Sequence, residues 1–180
     1  MSVQPEAAEK TRLLTALFPD SEAAEIALRK CVERGHAIED VNVVISEGTR
    51  TRLLRTEQAI KEELASRKTE GGELGGPTGG RAGILMAIFA AVGAAIAIPA
   101  TGFIAGPIAV ALAAAGAAGV AAGLISALSD WGIPEGRVKH YEAGIRKGGI
   151  LMMVHARTDA EARQLATEWR KAGGKDVVYG

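Results

Sequence analysis

The 180-residue chain carries 21 Lys and Arg against 21 Asp and Glu, a balance that excludes a global electrostatic pull toward nucleic acid, so any charge effect on it is local. A single cysteine excludes an intrachain disulfide framework and fits a reducing compartment. The 48% hydrophobic share is ordinary only as a mean, because the charges lie outside one central block.

In chain order, Met1 to Lys10 carries Glu6, Glu9 and Lys10 with no apolar core and no small-residue cleavage site, so it does not read as a secretory signal, and both ends are expected in the cytosol. Arg12 to Phe18 is a β-prone run. Pro19-Asp20-Ser21 then supplies turn and helix-start chemistry for a helix over Glu22 to Arg34, stopped at Gly35. Cys31, beside Leu28 and Val32, reads as a packed helix residue. Val41 to Ile45 is rich in β-branched residues and reads as a second strand, so residues 11–46 form a strand–helix–strand unit.

Residues 149–180 repeat that order. Ile150 to Ala156 is a strand candidate, Thr158-Asp159-Ala160-Glu161 has capping-box spacing, and Ala162, Leu165, Ala166 and Trp169 follow at helical intervals. Gly173-Gly174 closes the helix and Asp176 to Tyr179 can form a last strand. Aligning the two ends superposes Asp20 on Asp159, Glu22 on Glu161, Ala27 on Ala166 and Gly35 on Gly174. Two such halves predict an α+β fold, a ferredoxin-like βαββαβ head with four antiparallel strands and both helices on one face. Each half is too small to bury its own helix, which favours their pairing.

Residues 47–81 read as a basic helix followed by a Gly-rich linker. Gly48 to Lys68 sets Leu53, Leu54, Ile60 and Leu64 among Arg50, Arg52, Arg55, Lys61, Arg67 and Lys68. Two readings stay open: a helix lying on an anionic membrane surface, or a solvated helix packing its leucines on the head, with Glu57, Glu62 and Glu63 diluting the charge. The Gly-rich segment from Glu70 to Gly80 brushes against phosphate-loop spacing. It fails because Arg81 and Ala82 stand where Lys and Ser/Thr are needed and no strand leads in.

No charged side chain occurs from Ala82 to Ser129. Residues 82–129 predict a Gly/Ala-rich apolar helical hairpin, with helices over Ala82 to Ile98 and Pro107 to Ser129 of about 25 and 35 Å and a turn at Pro99 to Gly106. Gly83, Ala87, Ala91 and Ala95 on the first helix and Ala111, Ala115, Gly119, Gly123 and Ala127 on the second recur every four residues. Such glycine-zipper-type stripes let backbones approach, within a hairpin or between copies. Basic residues flank the block and none lies at its tip, so a membrane-spanning hairpin would keep both termini in the cytosol, with Arg81 and Trp131 at the membrane interface. An alternative reading packs Trp131 on the head. Residues 130–148 form a connecting helix, opened by Pro134, lined by Val138, Tyr141 and Ile145, and ended by Gly148-Gly149.

His36, His140 and His155 form no ligand pair at metal-binding spacing, and no nucleophile elbow or metalloprotease motif occurs, so neither a catalytic residue, nor a metal, nor a cofactor is nominated. No specific small molecule is indicated. The layout of PDSEAAE, VNVVIS, the Gly/Ala block and, above all, the run from Trp131-Gly132-Ile133-Pro134-Glu135 through Tyr141-Glu142-Ala143-Gly144-Ile145-Arg146-Lys147-Gly148-Gly149-Ile150-Leu151 resembles a family of small bacterial general stress or low-temperature-induced proteins with a glycine-zipper-type insert. The resemblance implies membrane association and a stress linkage and supplies no catalytic residues. The expectation is a non-enzymatic, self-associating structural or stress-response protein at the cytoplasmic (inner) membrane, with the hairpin in the lipid bilayer and the head in the cytosol. Two alternatives stand beside it: a cytoplasmic, soluble homo-oligomeric ring or shell with the hairpins inside, and a small-ligand sensor.

Overall fold

Strand β5 (Ile150–Ala156) is apolar on both of its faces, and the fold is organised around that fact. Ile150, Met152 and Val154 point to one side of the sheet, Leu151 and Met153 to the other, and all five are fully buried. A strand that hides both faces needs cover on both.

The computed structural model describes residues 12–69, 96–98, 102–115, 128–129 and 131–180. Among them six strands form one antiparallel sheet: β1 (Arg12–Phe18), β2 (Asn42–Ile45), β3 (Ile96–Ile98), β4 (Gly102–Ala105), β5 and β6 (Lys175–Tyr179), in the order β3-β4-β2-β5-β1-β6. Among the described residues these α-helices accompany them: α1 (Ser21–Glu33), α2 (Glu47–Thr69), α3 (Pro107–Ala115), α4 (Glu135–Arg146) and α5 (Asp159–Lys171).

Helices α1 and α5 cover one face. Asp20 caps α1 by accepting from the Ala23 amide at 2.8 Å, and Thr158 caps α5 by accepting from the Glu161 amide at 3.0 Å. Ala24, Ala27, Leu28 and Cys31 of α1 meet Leu165, Ala166 and Trp169 of α5 over Leu14, Phe18, Met152 and Val154. The Trp169 ring stands edge-on to Phe18 at 5.5 Å, and its indole N–H donates to the Ala27 carbonyl at 3.2 Å. Helices α3 and α4 cover the other face: Ile108, Ala109 and Leu112 of α3 and Val138, Tyr141 and Ile145 of α4 pack on Val44, Ile104, Leu151 and Met153.

This arrangement corrects the expected ferredoxin-like head with an inserted helical hairpin. Helices lie on both faces of the sheet, and its two additional strands come from the block read as the hairpin. β4 lies inside the stretch expected to be the hairpin's turn and pairs with β2, Val44 opposite Ile104 and Ile45 opposite Phe103; β3 pairs with β4. The reason is local. Gly102 and Gly106 have φ of +134° and +109°, a backbone that side-chain-bearing residues rarely adopt, and they bracket a β-prone Phe103-Ile104. A Cβ on Gly102 would overlap the Ile45 carbonyl oxygen and come within 2.6 Å of Ser46 Cα, so only glycine lets β4 lie this close to β2.

The transmembrane hairpin, and the inner-membrane location built on it, are corrected by the same observations. The tip of a spanning hairpin would lie across about 30 Å of hydrocarbon from the head, yet β4 is a strand within the sheet. The described part of α3 has 9 residues and packs on the sheet. Among the described residues no helix is long and apolar enough to cross a membrane.

α2 runs 23 residues, about 34 Å. Thr49 and Leu53 are buried at its start, Leu54 is 39% exposed, and every described side chain beyond it is exposed. Among the described side chains, α2 therefore packs on the head only through its first two turns.

Candidate functional site

Three features of this scaffold carry unusual surface chemistry. The first is the outer face of α3. Its N-terminus is held by the sheet: Asn42, fully buried on β2, accepts from the Ile108 amide at 2.8 Å, a service Gly106 has no side chain to perform. With Ile108, Ala109 and Leu112 turned inward, the outward positions are Val110, 60% exposed, and Ala111, Ala113 and Ala114, all exposed. None carries a polar side-chain atom. The exposed positions of α5, by contrast, include Asp159, Arg163, Gln164, Arg170 and Lys171.

The second is a cleft of about 210 Å³ where one face of α2 (Thr49, Arg52, Leu53, Thr56) leans over the start of α1 (Asp20, Ser21) and the turn at Gly148. Arg52 donates to the Thr49 hydroxyl at 3.1 Å, and Thr49 in turn donates to the Gly148 carbonyl at 3.4 Å.

The third is the seam between α1 and α5. Arg34 forks onto both Glu168 oxygens at 3.0 Å and donates to Gln164. That guanidinium holds the Glu168 carboxyl below its usual value. His36, buried, lies 3.0 Å from Glu161, whose other oxygen accepts from the Arg157 amide. Cys31 is sealed beneath this seam, and burial pushes its thiol up to about 12, which leaves it an inert core residue.

The other two histidines lie elsewhere. His140 contacts Asp176 at 2.7 Å, and Asp176 has a φ of +52°. The Tyr141 hydroxyl donates to the Asp176 carbonyl and lies 2.7 Å from the Thr15 hydroxyl, in a buried bridge from α4 to β1 and β6. His155 on β5 lies tilted against Trp131 with ring centres 4.8 Å apart, and partial burial lowers its pKa. Among the described residues no three His, Cys, Asp or Glu side chains gather where a metal could sit.

Of the residues singled out for helix packing, Ala111 lies exposed on α3, and Ala115 ends that helix, its side chain outside the description. Gly83, Ala87, Ala91, Ala95, Gly119, Gly123 and Ala127 lie outside the described residues, as does Arg81. Trp131 is partly buried against the α3/α4 side of the sheet, with its ring beside His155. Sequence reasoning passed over Val110 and Asn42 and read Arg52 only as one basic residue of its helix. Asn42 carried a signal, being the lone polar side chain in an apolar strand. No family model, no curated protein and no solved structure matches the chain, so the likeness to the stress-protein family rests on the quoted residues alone.

Proposed function

We propose that the chain is a non-catalytic protein that assembles with copies of itself in water, burying the outer face of α3 between chains. The supporting observation is the outward surface of α3: Val110, Ala111, Ala113 and Ala114 offer water no polar side-chain group. The nearest charged residues along the chain are Arg81 and Asp130. A surface of this kind is more stable when covered, at roughly 25 cal/mol per Å² of apolar area. Small side chains suit self-pairing about a two-fold axis, because the same flat stripe serves both partners. A structural role fits the reading, and a stress linkage rests only on the resemblance of the Trp131 to Leu151 run.

Sedimentation velocity in detergent-free buffer tests it. The chain should sediment as an assembly and Val110→Glu as a monomer with unchanged circular dichroism. A monomeric parent, or an assembly indifferent to Val110→Glu, would overturn the proposal.

A further inference from the structure

A second surface, on the opposite side of the sheet from α3, has a different chemistry. Thr49, Arg52, Leu53 and Thr56 recur at the spacing of one helical face, so α2 presents a wall. Asp20, Ser21 and Gly148 close the other sides around about 210 Å³. Thr49 is 4% exposed, and its hydroxyl accepts from Ser46 at 3.0 Å and from Arg52 at 3.1 Å. These bonds anchor one edge of the guanidinium at the wall. No carboxylate among the described residues pairs with Arg52, whereas Arg12, Arg29 and Arg34 each have one. An arginine fixed at one edge keeps its remaining donors in the planar fork that matches an oxyanion.

We infer that this cleft binds a small compound through a single oxyanion group, a phosphate or a carboxylate, gripped by Arg52. The volume sets the size. It falls below the ~300–1,000 Å³ of sites for drug-sized ligands, which suits a compact metabolite held by its anionic end. The Asp20 carboxylate shares the cleft, with Oδ1 accepting from the Ala23 amide. Its free oxygen can accept from a ligand hydroxyl or ammonium group placed beside the anion. The Ser21 hydroxyl, beside Asp20 at the start of α1, can bond to either end.

Isothermal titration of the full chain with inorganic phosphate, and separately with acetate, tests the inference and tells the two anions apart. Saturable binding of one of them is expected, with a Kd of about 1 mM or tighter. Arg52→Gln should weaken it at least tenfold. Arg55→Gln, an exposed arginine outside the cleft on the same helix, should leave it unchanged, which separates a site from general counter-ion binding. The inference does not rest on self-association, so a monomeric Val110→Glu variant should bind as the parent does. Absence of saturable binding by both anions, or equal affinity in Arg52→Gln, would overturn it.

Discussion

Asn42 on β2 and Ile108 on α3, far apart in the chain, share a 2.8 Å hydrogen bond in which the side-chain carbonyl accepts the helix's backbone N–H. The bond ties the uncharged block to the centre of the sheet. Asn42 Nδ2 is buried without a partner among the described residues, which offsets part of what the cap contributes. Asn42→Ala should therefore cost only about 1 kcal/mol, the cap's value less the relief of the orphaned donor. A urea titration gives the stability change, and faster amide exchange at Ile108 localises it.

Gly102 and Gly136 should respond oppositely to alanine. At Gly102 the new methyl would run into the Ile45 and Ser46 backbone with φ at +134°, so β4 must leave β2, a loss of at least about 2 kcal/mol. At Gly136, exposed in the first turn of α4, nothing lies within 4 Å, and the same change should stabilise by about 0.4–1 kcal/mol. Thermal midpoints of the two variants measure the contrast.

Stability should fall in two steps on acidification. Burial lowers the His155 pKa, so the unfolded chain takes up a proton first and stability declines as pH drops below the ordinary 6.5. The Glu168 carboxyl is held down by Arg34, so its contribution is complete above the ordinary 4.5 and is lost as pH falls through the folded-state value. Unfolding free energies measured from about pH 3 to about pH 8, roughly 1.5 units beyond the ordinary values at each end, should lose the upper step in His155→Gln and show a smaller lower one in Glu168→Gln.

Where local chemistry decides an element, the chain could be read directly. Thr158 and Glu161 announce the start of α5, and Val138, Tyr141 and Ile145 mark the inner face of α4. The uncharged block resisted such reading because a short apolar run suits a buried strand as well as a helix. Gly102 and Gly106 looked like turn punctuation and instead bracket a strand. The sequence does carry a signal for two-sided burial: Ile150 to Val154 has no polar alternation, which a sheet open to water on one face would show. The cleft was not legible, because nothing local places Thr49, Arg52 and Thr56 against Asp20 and Ser21.

The central claim is that β4, drawn from the uncharged block, lies beside β2 in the sheet of the head. Cross-linking tests it most directly. Ile45 and Phe103 face each other across the two strands, and antiparallel partners at ~4.5–5.5 Å between Cα atoms lie within disulfide reach. In a Cys31→Ser background, the pair Ile45→Cys and Phe103→Cys should close within a single chain on mild oxidation in detergent-free buffer. Failure to close, or bridges formed only between chains, would contradict the account.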